Sequence, residues 1–276
     1  MRLLISVRNE AEAMLAAEGG ADFIDLKEPR DGALGGLPVA TVRAVVQALR
    51  ERGIALPVSA TIGDLAMHEV DRIAAGVEAV AACGVNYVKV GIERTPQAAE
   101  VLNMLDATEL AIVPVFIADQ GIDFDLVTHA CRLRFLGVMA DTADKLRGSL
   151  FDCVAPGDLQ RFTRGVRLAG KLVGLAGALR TPHLPLLEQL APDFAGFRGA
   201  VCVSDRSSAL DAQRVRAMAD RLHGHVVPAS VPAPSAFGVP IGSTAHSLSV
   251  KSGPDTATSD SAALRGVLPE LIPSSR

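Results

Sequence analysis

The feature that most constrains this chain is a rhythm. Short apolar runs rich in β-branched residues alternate eight times with longer stretches whose apolar positions recur at helical spacing. Such runs separated by helical patterns of about 10 to 15 residues are the signature of βαβ units around a parallel sheet. The runs fall at 3–7, 23–26, 58–62, 87–90, 112–116, 135–139, 172–175 and 194–197, and the helical patterns at 10–18, 39–52, 69–82, 96–105, 124–131, 158–169, 182–190 and 210–223. Gly53 and Gly84 follow two helices where a left-handed cap is common, and Pro96 and Pro182 stand near the start of two others. The count and order predict an α/β fold of the TIM (β/α)₈ barrel type over residues 1–224. An open doubly wound sheet is the alternative, but it usually has a glycine-rich first βα turn, and Val7-Arg8-Asn9 is not one. Residues 225–276 change texture to Pro, Ser, Ala, Gly and Thr with little periodic pattern, and are read as a flexible, disordered C-terminal tail.

Several function classes recede on composition. Net charge is −4 with one Tyr and no Trp, which gives neither a basic footprint nor aromatic platforms for nucleic acid. Mean hydropathy is positive, yet no run approaches the roughly 18 apolar residues a membrane span needs. The first residues are too short an apolar run for a signal peptide, and the reading is a cytoplasmic protein. Cys83, Cys131, Cys153 and Cys202 lack paired metal spacing, as do the six histidines, so no metal site is expected.

In a barrel of this type catalytic groups project from the C-terminal strand ends. Charged residues within or just past apolar runs are therefore the informative ones: Asp25 and Lys27, Asp64, Lys89, Asp119, Asp141 with Lys145, and Arg198. Each taken alone has a structural reading as an ion-pair partner; together they mark one mouth. Lysine is scarce, five of 27 Lys and Arg residues, and Lys27, Lys89 and Lys145 all fall near predicted C-terminal strand ends. Arginine supplies charge, but only a lysine amine can be deprotonated into a nucleophile. Small-residue turns at Gly177 and at Arg198-Gly199-Ala200 occupy the place where barrels bind phosphate through backbone N–H groups, with Arg198 as an ionic partner. Amines beside a phosphate cradle point to a sugar-phosphate carbanion enzyme. A Schiff-base aldolase of sugar phosphates, a cofactor-free sugar-phosphate isomerase and a non-catalytic phosphate-binding scaffold stay as alternatives.

The motifs resemble those of a known family. Gly20-Ala21-Asp22-Phe23-Ile24-Asp25-Leu26-Lys27-Glu28-Pro29, then Gly32-Ala33-Leu34-Gly35, Ser59-Ala60-Thr61-Ile62-Gly63-Asp64, Tyr87-Val88-Lys89-Val90-Gly91, Asp141-Thr142-Ala143 before Lys145, and Leu175-Ala176-Gly177 are similar to (5-formylfuran-3-yl)methyl phosphate synthases, in order over about residues 1–223. The resemblance implies a lyase that condenses two glyceraldehyde 3-phosphates into 4-(hydroxymethyl)-2-furancarboxaldehyde phosphate, releasing phosphate and water, for the furan of methanofuran-type C1 carriers. It implies no metal or organic cofactor. The family's Schiff-base lysine falls on Lys27, its other catalytic lysines on Lys89 and Lys145, and its catalytic aspartates on Asp25 and Asp141. Asp64 and Asp119 are read as support, orienting the amines or serving as structural partners. The expected partner is a small phosphorylated triose, not nucleic acid or membrane, and a homo-oligomer is left open. Departures from the family are the tail after His223 and a divergent segment between Asp119 and Phe135.

Overall fold

The computed structural model describes residues 1–32, 34–144 and 148–224. Lys145 and the tail expected over 225–276 lie outside the described residues. Eight strands, β1 (Arg2–Val7), β2 (Phe23–Leu26), β3 (Val58–Thr61), β4 (Tyr87–Ile92), β5 (Ile112–Ile117), β6 (Gly137–Asp141), β7 (Leu172–Leu175) and β8 (Phe194–Phe197), pair in parallel and in sequence order. β8 closes the sheet onto β1 with Ile5 opposite Phe197. The expected (β/α)₈ barrel is therefore the fold.

Helices α1 (Glu10–Glu18), α2 (Val39–Glu51), α3 (Val70–Ala81), α4 (Ala98–Ala107), α5 (Phe124–Arg132), α6 (Leu150–Cys153), α7 (Pro156–Leu168), α8 (Leu184–Leu190) and α9 (Ala212–His223) connect the strands. None among the described residues is long and apolar enough to cross a membrane. Local chemistry sets their ends. Asn9, Asp123 and Asp211 accept backbone N–H groups in the first turns of α1, α5 and α9, and Gly53 and Gly84 take the left-handed conformation expected after α2 and α3. α6 was not anticipated: four residues are too few to display a period, and it is held by Ser149 and Asp152 in a capping box. β6 begins two residues later than the run at 135–139 suggests. Phe135 is buried ahead of the strand, and the strand instead extends to Asp141 at the mouth.

Alternation along the strands decides which side chains meet. Leu3, Ile5 and Val7 in β1, and Ile24 and Leu26 in β2, pack outward against the helices. Leu4, Val113, Val115, Met139, Ala176 and Phe194 form a separate buried cluster inside the barrel. Gly174 makes room for it, since a Cβ there would collide with the Phe194 ring. Residues one step further along the inward face, Ser6, Asp25, Ser59, Lys89 and Asp141, sit above this apolar plug and are all buried.

Candidate active site

Strand register builds the site. Ser6 pairs with Asp25, and Asp25 with Ser59, so three consecutive strands present these side chains abreast. Asp25 Oδ1 accepts from Ser59 Oγ at 2.6 Å and lies 2.8 Å from Lys89 Nζ, while Oδ2 accepts from Ser6 Oγ at 3.2 Å. Lys27, two residues on and therefore on the same inward face, follows β2 with its backbone N–H bonded to Val7 O at 3.1 Å. Its Nζ stands 3.6 Å from Asp141 Oδ2, at the end of β6, and the other oxygen of Asp141 accepts the Thr142 N–H at 2.7 Å. Asp25 and Asp141 are 1% exposed, Lys89 3% and Lys27 7%. Asp25 thus pairs with Lys89, and Asp141 stands beside Lys27.

Four buried charges cost several kcal/mol each in lost hydration, an outlay that pairing only partly offsets. Burial works to raise the Asp25 pKa, but the charges of Lys89 and Lys27 and the hydrogen bonds from Lys89 and Ser59 outweigh it and leave the carboxyl below its ordinary 3.8. Burial depresses the Lys89 ammonium below 10.5; Lys27 adds to this and Asp25 and Asp141 oppose it. The centre is thus an ionised carboxylate beside an amine that releases its proton more readily than an ordinary lysine.

A cavity of about 690 Å³ opens over Lys27 and Asp141, walled by the loops after β2, β6, β7 and β8. The two expected support residues hold these loops by accepting backbone N–H groups. Asp64 accepts from Leu34 N at 3.1 Å, fixing the β2–α2 loop, and Asp119 accepts from Ala143 N and, at 2.9 Å, from Asp144 N after β6.

The two turns expected to hold phosphate line this cavity. After β7, Gly177 has φ +114° and Ala178 φ +46°; a left-handed alanine costs of order 1–2 kcal/mol, a strain the loop stores at the mouth. After β8 the chain makes a 3-10 turn at Gly199–Val201. Among the described residues no protein acceptor takes the N–H groups of Gly177, Gly199 or Ala200.

Arg198 requires a correction. Its Nε donates to Arg206 O at 2.9 Å, Nη1 to Ser6 O at 3.0 Å and Glu12 Oε2 at 2.5 Å, and Nη2 to Glu12 Oε1 at 3.0 Å and Ser208 O at 2.7 Å. A guanidinium has five N–H donors, and all are engaged. Arg198 therefore ties β8 to β1 and α1 and has no donor left for a phosphate. Burial tends to raise the Glu12 pKa, but Arg198, with Arg8, holds the carboxyl below its ordinary value. Glu12 and the serines Ser6 and Ser59 were not singled out from the sequence. A small hydroxyl residue interrupting an apolar strand was a usable signal for Ser6 and Ser59. Glu12, in the first turn of a helix, reads like any surface acid.

A sequence profile described as 4-HFC-P synthase matches residues 3–219. A Methylorubrum extorquens protein, provisionally named a (5-formylfuran-3-yl)methyl phosphate synthase, is 38% identical over 218 residues, covering 78% of this chain and 88% of its own. The (5-formylfuran-3-yl)methyl phosphate synthase of Archaeoglobus fulgidus is 33% identical over 238 residues, 81% of this chain and 100% of its own. Among solved structures, 3-hexulose-6-phosphate synthase from Salmonella typhimurium superposes with a TM-score of 0.56 at 17% identity, covering 82% of this chain and all of that one. That last likeness speaks of the barrel alone.

Proposed function

The chain belongs to the 4-HFC-P synthase family, and we propose on that premise that its barrel mouth condenses two molecules of glyceraldehyde 3-phosphate into 4-(hydroxymethyl)-2-furancarboxaldehyde phosphate, releasing phosphate and water. The product would supply the furan of a methanofuran-type carrier, and the enzyme would be a carbon–oxygen lyase acting on phosphates. The observation that carries the reading is Lys27 Nζ, 3.6 Å from Asp141 at the floor of the cavity, backed by the Asp25–Lys89 pair.

Lys27 attacks the aldehyde of one triose phosphate and, with loss of water, forms an iminium ion that acidifies the neighbouring C2–H. Asp141 takes that proton. Asp141 is placed for this by its 3.6 Å approach to Lys27 Nζ, whereas Asp25 pairs with Lys89. The electron pair left at C2 expels phosphate from C3, so C3 becomes the terminal carbon of an enol. The connectivity of the furan then requires C3 of this triose to join C2 of the second one. The second triose must therefore present a ketone at C2, reached by the same C2–H removal and reprotonation at C1. Closure of its C1 hydroxyl onto C2 of the first triose, release of the lysine by water and dehydration to the aromatic ring complete a sequence without net oxidation or reduction. Lys89 would move protons behind Asp25, and Lys145, which follows β6 in sequence, would assist.

The phosphate groups would lie against the turns at Gly177 and at Gly199 and Ala200. Incubation of the purified chain with glyceraldehyde 3-phosphate, followed by mass analysis, tests the reaction: the furan aldehyde phosphate is the expected product. Appearance of a six-carbon sugar bisphosphate would favour the aldolase, and of dihydroxyacetone phosphate alone the isomerase.

A further inference from the structure

Two arginines of the segment after β8 differ in how much hydrogen-bonding capacity they have spent. Arg198 has spent all of it on Glu12 and three carbonyls. Arg206, half-buried in the cavity wall, spends one donor, Nη2 to Gly32 O at 3.0 Å. Among the described residues its other N–H groups have no acceptor. Its main chain is fixed in place: Arg198 Nε bonds its carbonyl, and the preceding Asp205 carboxylate accepts from Ser207 N at 2.7 Å, Ser207 Oγ at 2.6 Å and Ser208 N at 3.2 Å. A Cβ added at Gly199 would lie 3.8 Å from Arg206 Cβ. The side chain therefore starts beside the β8 turn and crosses to the β2–α2 loop. Asp141, the carboxylate beside Lys27, is close enough to act on its charge.

We propose that Arg206 binds the phosphate of the triose held on Lys27 and so sets the preference of the site for phosphorylated over unphosphorylated three-carbon aldehydes. The inference rests on the proposed triose-phosphate reading of the cavity. A guanidinium stays charged when half-buried, and its planar fork matches two oxygens of a phosphate dianion. One edge of the Arg206 fork is tethered to Gly32 and the rest is turned to the cavity, so the group is oriented before the ligand arrives. Ordering a free surface arginine would cost side-chain entropy on binding; Arg206 has already lost much of it. The cavity also holds Arg30 and Arg180, but these are exposed. Arg214 donates to Cys202 O. By tying the β8–α9 segment to the β2–α2 loop, Arg206 also makes phosphate binding and loop position one event.

The test uses the full chain and inorganic phosphate as probe. Arg206→Gln keeps an amide donor for Gly32 O and removes the charge; Arg206→Lys keeps the charge and loses the fork. Calorimetric titration is expected to show phosphate binding weakened tenfold or more in Arg206→Gln, less in Arg206→Lys, and within threefold of wild type in Arg30→Gln. Borohydride labelling of Lys27 should slow with glyceraldehyde 3-phosphate in Arg206→Gln, yet proceed at the wild-type rate with glyceraldehyde. Unchanged phosphate affinity in folded Arg206→Gln and Arg206→Lys, or an equal loss in Arg30→Gln, overturns the assignment. A wild-type chain that makes no furan but binds phosphate through Arg206 sinks the proposed reaction and leaves this site standing.

Discussion

The two amine–carboxylate pairs at the barrel mouth use the same residue types and are similarly buried, but differ in spacing and in where along their strands they stand. Asp25 and Lys89 are 2.8 Å apart, and two serine hydroxyls also donate to the carboxylate. Lys27 and Asp141 are 3.6 Å apart, longer than a hydrogen bond, and both line the cavity, whereas of the first pair only Asp25 does. The difference teaches how one fold separates holding charge from using it. Strand interiors lock the first pair by register, since Ser6, Asp25 and Ser59 lie abreast. The second pair stands at strand ends, where the backbone stops dictating side-chain positions and a ligand can enter between the partners.

If the open pair carries the chemistry, Lys27→Arg should abolish furan formation, by roughly 10³-fold or more, because arginine keeps the charge and cannot form an imine. Triose phosphate binding and the melting temperature should change little. A borohydride adduct on Lys89, with Lys27→Arg still active, would reverse the roles of the two pairs. The closed pair should respond in the opposite currency. Lys89→Met strands the Asp25 carboxylate and should cost about 3–5 kcal/mol, measured by chemical denaturation. The double variant Asp25→Asn/Lys89→Met should recover most of that stability, and a double variant no more stable than the single would show that the pair does not behave as a unit.

The same contrast explains what could be read from the chain. Eight apolar runs sufficed for the barrel, because parallel strands buried on both faces are apolar in nearly every residue. Asp25, Lys27 and Lys89 stood out for the same reason: each interrupts or follows such a run. Their pairing did not, because Asp25 reaches Lys89 across two strand spacings and Lys27 reaches Asp141 across the barrel. Sequence order carries no distance between strands two and six. Arg198 was taken for a phosphate ligand because nothing near it in sequence announces Glu12, 186 positions away and buried only in the fold. Arg206, in a polar loop, resembled any exposed arginine until Gly32 O appeared beside it.

The closed pair also predicts an acid limb. The folded pKa of Asp25 lies below 3.8, so its contribution to stability is fully present above that value and is lost as pH falls through the folded pKa. Lys89 works from the other side. Its folded pKa lies below 10.5, so between the two values the unfolded state binds more protons and stability from this group rises with pH. Denaturation midpoints measured from pH 5 downward should fall in wild type and fall less steeply in Asp25→Asn/Lys89→Met. Parallel curves would assign the acid sensitivity to other carboxylates, Glu12 first among them.

The smallest effect expected separates the two hydroxyls on Asp25. Ser59 donates at 2.6 Å from β3, away from the cavity, whereas Ser6 donates at 3.2 Å and lines it. A short bond to an ionised carboxylate is worth about 1.5–3 kcal/mol and a long one nearer the ordinary 0.5–1.5 kcal/mol. Ser59→Ala should therefore destabilise the chain more than Ser6→Ala, with both folded and both measured by the same denaturation series. In Ser6→Ala the carboxylate keeps Lys89 and Ser59, and the small space left faces the cavity, where water can enter and replace the hydroxyl. The loss at Ser6 should accordingly fall below about 1 kcal/mol. Should Ser6→Ala prove as costly as Ser59→Ala, Asp25 would be anchored from the cavity side, and the division between a pair that holds charge and a pair that uses it would no longer describe this mouth.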